Sequence, residues 1–363
     1  MKRYTNLLLV TTAITAVSFL SSCDNELKTT GDFKETPVVY GLLNWQDTAQ
    51  YIRIERAFLD PTTGATVLAA DVNNIYFKNA SVRLQKVNNV NNQVVQDIAL
   101  NKVDGAQEGF PRATGIFAST PNYLYKTKER MDTATYNAAG KRTDLYRYRM
   151  IILNEDVQKS YTAETRLIPE FYLSTPSPNI SQTWVVNPQS PKQRKFEINE
   201  VPRNAATFDI DLHFRYQEKD LTTNLVTEKT FVWKLGHKLT PVDGKVTMSV
   251  EPVQLYNTLN NYIPVAGSNI VRCGQSLKYY AYVYAAGSDY AKYSQSISEN
   301  TGVSSSDVIP QYTNVSEGRG FFSSRCLYKS EAFLFTKETV DSIAGSYRTS
   351  KLKFTNWTNS ICQ

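Results

Sequence analysis

Histidine is nearly absent from this 363-residue chain, with His213 and His237 the only two. Neither stands in a zinc-binding helix or near a nucleophile elbow, so those two common hydrolase signatures are missing. Cysteine is almost as scarce. Beyond Cys23 there are Cys273, Cys326 and Cys362, spaced too widely for a zinc site, whose cysteines usually come in close pairs. No cofactor-binding pattern is present and none is expected. Gly318-Arg319-Gly320 does not open a helix, so it is no phosphate loop; a bend or bulge at a strand start explains it. Helical periodicity is thin, and no repeat of solenoid length recurs. Past Leu20, no apolar run approaches the roughly 20 residues of a membrane-spanning helix.

The start of the chain says more. Lys2 and Arg3 precede an uncharged, largely apolar stretch from Leu7 to Leu20, and Leu20-Ser21-Ser22-Cys23 follows. A basic start, a short apolar core and small residues before a cut read as a secretory signal. The ending Leu20, Ser21, Ser22 resembles a bacterial lipobox, in which the Cys23 thiol is acylated and becomes the new N-terminus. Each buried methylene adds about 0.8 kcal/mol, so several acyl chains hold a protein firmly to a lipid bilayer. Cutting before Cys23 takes 22 of 363 residues and leaves 341, room for two or three domains. It also takes Lys2 and Arg3 from 40 basic residues, leaving 38 against 34 acidic ones, a net +4. Nucleic acid calls for a clustered basic face, so it is not an expected partner. Outside the cytoplasm two of the three remaining cysteines are expected to pair. Cys326 with Cys362 is the first choice, because it would tie down the C-terminal segment, though sequence does not decide the pairing.

Composition points to β structure. Tyr (23) and Phe (16) are plentiful, and β-branched residues recur in short runs bounded by Asn, Asp, Gly and Pro. Strands are expected at 38–43, 51–58, 81–87, 94–100, 145–152, 159–167, 195–199, 230–235, 245–250 and 277–285, with a turn at Asp60-Pro61-Thr62-Thr63-Gly64. The clearest is 208–217. There Phe208, Ile210, Leu212, Phe214 and Tyr216 alternate with Asp209, Asp211, His213, Arg215 and Gln217, which describes a sheet with one wet face. Helices are expected at Pro252 to Tyr262 and Thr336 to Ala344, the latter capped by Thr336 and stopped by Gly345. The chain therefore reads as mainly β, with two β-sandwich-like (immunoglobulin-like) domains and one or two short helices after a lipoprotein signal peptide. The divisions are a signal at 1–22, a flexible acylated tether at 23–36, and an N-terminal β domain at 37–173. A linker at 174–194, around Ser174-Thr175-Pro176-Ser177-Pro178, and a C-terminal β domain at 195–363 with short helices complete the order.

Two constellations carry candidate chemistry. Asp209, Asp211 and His213 leave one strand face about 7 Å apart in steps, which could supply metal ligands; a solvated sheet face demands the same residues. Tyr280, Tyr282 and Tyr284 share a strand face, with Tyr279 and Val283 on the other. Outward, such a ladder is a platform for a glycan or peptide; inward, it is ordinary sandwich core.

The lipobox followed by Cys23-Asp24-Asn25-Glu26 is similar to lipoproteins of Bacteroidota, in which acidic residues after the cysteine often accompany export to the cell surface. Three stretches resemble the domain-of-unknown-function 4249 lipoproteins: 79–84 (Asn-Ala-Ser-Val-Arg-Leu), 161–165 (Tyr-Thr-Ala-Glu-Thr), and Thr313-Asn314-Val315 leading to Gly318-Arg319-Gly320-Phe321-Phe322. Tyr290 and Tyr293 fit the aromatic stretch before the last motif. The resemblance implies an outer-membrane, lipid-anchored protein on the periplasmic or, preferentially, the cell-surface side. It also implies a non-catalytic binding or accessory subunit beside a TonB-dependent transporter in nutrient uptake, and it transfers no catalytic residues. A structural or assembly component of the envelope is the alternative. A surface glycan hydrolase drawing its carboxylates from the 34 acids is a third reading.

Overall fold

The computed structural model describes residues 35–57, 63–132, 135–136, 142–143, 145–177, 180–186, 192–300 and 311–362. The expected signal peptide, its lipobox and Cys23, almost all of the tether, Asp60-Pro61-Thr62 and Pro178 lie outside the described residues. Strands make up 45% and helices 16%, so the protein is mainly β, with one large sheet and five short helices. Among the described residues no helix is long and apolar enough to cross a membrane.

The first half contains β1 (Pro37–Leu43), β2 (Gln50–Arg56), helices α1 (Ala65–Ala70) and α2 (Val72–Ile75), β3 (Ala80–Asn88), β4 (Val94–Asp104) and β5 (Tyr123–Thr127). The two-residue pair β6 (Thr135–Tyr136) and β7 (Arg142–Thr143) precedes β8 (Tyr146–Asn154) and β9 (Lys159–Thr165). The second half runs β10 (Arg194–Ile198), β11 (Ala205–Asp220), β12 (Val226–Leu239), β13 (Val246–Val250), α3 (Pro252–Tyr262) and β14 (Ile270–Gly287). Helix α4 (Ser288–Asn300), β15 (Arg319–Lys329), β16 (Phe333–Leu334) and α5 (Lys337–Gly345) follow. The large sheet has the order β12-β11-β14-β15-β1-β2-β5-β4-β3-β8-β9, with β16 also on β14. β10 and β13 form a separate antiparallel pair.

Local sequence explains the long strands. Phe208, Ile210, Leu212, Phe214 and Tyr216 of β11 are all buried, as the alternation demands. Their core also takes Phe196, Tyr279, Val283 and Phe333, and the apolar face of α3 (Leu255, Tyr256, Leu259). Helix α3 starts where Pro252 needs no hydrogen-bonded N–H, with Glu251 and Gln254 forming a capping box. In α5 the Thr336 hydroxyl accepts from the Thr339 N–H. The first-half core gathers Val39, Ile52, Leu84, Met150, Ile152 and Tyr161. Chain position does not sort the two cores. Val315 and Phe322 belong to the first, while Ile168, Phe171 and Leu173 belong to the second. Ser174 and Thr175, expected in a linker, hydrogen-bond Glu197 of β10 through their backbones.

The disulfide corrects one expectation. Cys362 bonds Cys273, not Cys326. The C-terminal tail runs beside the start of β14, where Arg272 N–H donates to Lys353 O (3.0 Å) and Thr355 N–H to Arg272 O (2.8 Å). That path delivers Cys362 to Cys273. Cys326 instead sits buried opposite Ala285 inside the sheet, its Sγ 3.6 Å from Gln46 Oε1.

β15 joins the halves. Its residues 319–324 pair parallel with Val38–Leu43 of β1, and its residues 325–329 pair antiparallel with Tyr282–Ala286 of β14. Two side-chain amides extend these ladders. Phe322 N–H donates to Asn314 Oδ1 (2.9 Å), and Asn314 Nδ2 donates to Phe322 O (2.7 Å) and Glu164 O of β9 (3.2 Å). Leu327 N–H donates to Gln46 Oε1 (2.8 Å), and Gln46 Nε2 returns a bond to Leu327 O (2.7 Å). Gly320 has φ +80°, and a Cβ there would stand 2.0 Å from Val39 O. Only glycine accepts both conditions. The Gly-x-Gly element is thus structural, at the start of a strand, as its sequence context suggests. Gly320→Ala should destabilise the protein by roughly 2–5 kcal/mol through strain and overpacking. Gly345→Ala, with open space around it, should be neutral or stabilising by about 0.5 kcal/mol. Equal denaturant midpoints for the two variants would show that the close approach is not needed.

Candidate functional site

The two sequence constellations meet on one face. In the β11–β14 register Asp209 stands opposite Tyr284, Asp211 opposite Tyr282, and His213 opposite Tyr280. Tyr280 and Tyr282 are half-buried and Tyr284 is 40% exposed, while Tyr279, Ala281 and Val283 fill the core. The ladder therefore faces outward, and the core reading holds for Tyr279 alone. Its rings are braced: His213 stacks on Tyr282 at 3.9 Å, Lys329 Nζ lies 5.3 Å from the Tyr282 ring, and the Arg215 guanidinium 5.0 Å from the Tyr280 ring.

The same face does not make a metal centre. Among the described residues no three of His, Cys, Asp and Glu are placed to hold a metal ion. Asp209 is engaged by β12: it accepts from the Lys238 N–H (2.7 Å) and lies 2.9 Å from His237 Nδ1. Side chains along one strand diverge, and the register sets Lys234 of β12 and three tyrosines of β14 against this row, with His237 of β12 meeting Asp209. Burial raises the Asp211 carboxyl above its usual value and lowers the His213 imidazole, so both are biased toward their neutral forms.

At its Tyr284 end the tyrosine face runs into a cleft of about 560 Å³. Its floor comes from Tyr284, Ala285 and Ala286 of β14 and from Cys326 and Leu327 of β15. One wall is the end of β1 and the turn after it (Leu42, Asn44, Asp47); another is Asp209 with His237 and Lys238. Helix α4 supplies the third through Tyr290, Ala291 and Ser294. Aromatic contacts place α4 there: Tyr293 packs 4.8 Å from Phe321 and 6.0 Å from Tyr40, and Tyr290 packs 5.3 Å from Phe321. An Arg325–Asp47 ion pair (2.9 Å) sits at the cleft, and the buried Thr207 hydroxyl lining it has no hydrogen-bond partner among the described residues. Mostly apolar walls with a few convergent polar groups, in a volume of this size, are the usual make-up of a small-ligand site. Burial also raises the Tyr284 phenol, keeping it a hydrogen-bond donor.

No protein-family model matches the chain, and no curated protein matches it.

Sequence reading put Tyr280, Tyr282 and Tyr284 on one common face, left open whether that face was core or surface, and missed the cleft. Asp47, His237 and the Arg325-Cys326 pair come from three segments and carry no shared motif. The 107–123 loop packs through Phe110 on Tyr51 (4.9 Å) and does not line the cleft. Tyr282→Ala should cost about 1 kcal/mol, the scale of a lost stacking contact, and Tyr279→Ala about 3–5 kcal/mol. Thermal melting of both variants checks this; a Tyr282→Ala loss as large as that of Tyr279→Ala would mean the ladder is core.

Proposed function

We propose that this protein is a lipid-anchored outer-membrane lipoprotein whose folded part is a non-catalytic binding subunit, working beside a TonB-dependent transporter in nutrient uptake. The observation that carries the reading is the cleft between the two halves, with a cation-braced tyrosine face leading into it. Such a surface suits a glycan or a short peptide, since each ring offers apolar area and a hydroxyl. The lipobox at Leu20, Ser21, Ser22 and Cys23 supports the anchor, and the motifs shared with the domain-of-unknown-function 4249 lipoproteins support the setting at the cell surface. The two cores support a finer reading of the fold as two β-sandwich-like domains that share β15. No residue is assigned a catalytic role.

The test is calorimetric titration of soluble oligosaccharides and short peptides into the wild type and two variants. Tyr284→Ala removes a floor ring, and Ala291→Trp fills the cleft from α4. At least one ligand should bind the wild type, and each variant should weaken it by about tenfold or more, or 1.4 kcal/mol, with melting temperature little changed. Silence across the panel, together with capture of an envelope assembly complex, would move the assignment to an assembly component.

A further inference from the structure

A second cavity, also about 560 Å³, lies away from the tyrosine face, between β10 and the core side of β14. Gln182, Trp184, Arg194, Phe196 and Tyr279 line it. Three of these carry buried polar atoms without a hydrogen-bond partner among the described residues: the Trp184 indole Nε1, Arg194 Nε and the Tyr279 hydroxyl. Trp184 and Tyr279 are 1% and 0% exposed, so bulk water does not serve them. An indole and a guanidinium only donate, and a phenol brings a proton as well. Three unpartnered donors thus line one cavity. Buried polar groups in folded proteins are nearly always paired, so an unpaired cluster calls for a cause.

The electrostatics agree with the geometry. The Trp184 N–H and the Arg194 charge both bear on the Tyr279 phenol, opposing the burial that drives its pKa up, although the indole is not in hydrogen-bond geometry with it. Donation from the indole to the phenol oxygen would still leave the O–H and a guanidinium N–H unanswered. Burial lowers the Arg194 guanidinium, and what offsets that shift is the Tyr279 phenol rather than a carboxylate. The missing partner is an acceptor, and a negative one.

We propose that this cavity is a carboxylate-binding subsite for a ligand with a ring-shaped or apolar body. A carboxylate has about four lone-pair sites and can accept from all three donors at once. The aromatic walls of Trp184 and Phe196 hold the body, and exposed Lys192 at the mouth attracts the charge. An acidic saccharide and a peptide C-terminus share this chemistry.

The experiment titrates galacturonate, an N-acetyl dipeptide acid and neutral galactose into the detergent-solubilised full chain by calorimetry. At least one acid should bind and galactose should not; which acid binds tells the saccharide source from the peptide source. Arg194→Gln and Tyr279→Phe should each weaken that binding by about tenfold. Tyr279→Phe removes one oxygen and keeps the ring in the core; if it nevertheless melts early, Arg194→Gln decides alone. Val90→Ser, at an exposed position that lines neither cavity, should leave this binding unchanged. No heat with either acid, equal binding of galactose, or undiminished binding in Arg194→Gln would overturn the proposal.

Discussion

The parallel contact between β1 and β15 is the constraint on which the rest depends. A strand from near the C-terminus must lie beside the first strand of the described fold, and Gly320 must pass so close to the Val39 carbonyl that no side chain fits. Once it does, one strand belongs to both cores: Phe322 is buried in the first and Cys326 in the second. The amides of Asn314 and Gln46 finish what the strands begin, each bonding both backbone groups of a β15 residue. The seam costs loop-closure entropy, because it joins segments about 280 residues apart. Burial of Phe322 and the shared ladder offset that cost.

The seam also builds the cleft. Its walls come from the end of β1, from β11 and β12, from β14 and from α4, and these converge only because β15 holds β1 next to β14. Tyr40, Tyr293 and Phe321 form the aromatic joint that seats α4 over the same strands. A site assembled at a junction between two cores can be rigid without a single long motif, since each core positions its own wall.

How legible this was in the sequence depended on range. Period-two alternation placed Phe208 through Tyr216 inward and Asp209, Asp211 and His213 outward, because that pattern is local. Helices α3 and α5 were readable from Pro252 and Thr336, whose capping acts within one turn. The outward face of Tyr280, Tyr282 and Tyr284 was visible as a face, but not whether it was wet, which depends on what packs above it. Long-range facts were beyond reach. Nothing in the spacing of three cysteines says that the tail passes Arg272, so Cys273 and not Cys326 receives Cys362. Trp184, Trp233 and Tyr279 look unrelated in sequence, yet the rings of Trp233 and Tyr279 each lie 6.4 Å from that of Trp184 in one core. The Asn314-to-Phe322 stretch was recognisable as a motif, while its purpose appeared only with the strand it meets.

Native-state hydrogen exchange tests the shared-strand account most directly. If β15 is integral to both cores, the amides of residues 39–43 and 319–329 exchange only with the slowest, global opening of the protein. Exchange of the β15 amides at loop-like rates, while β11 and β8 stay protected, would contradict it.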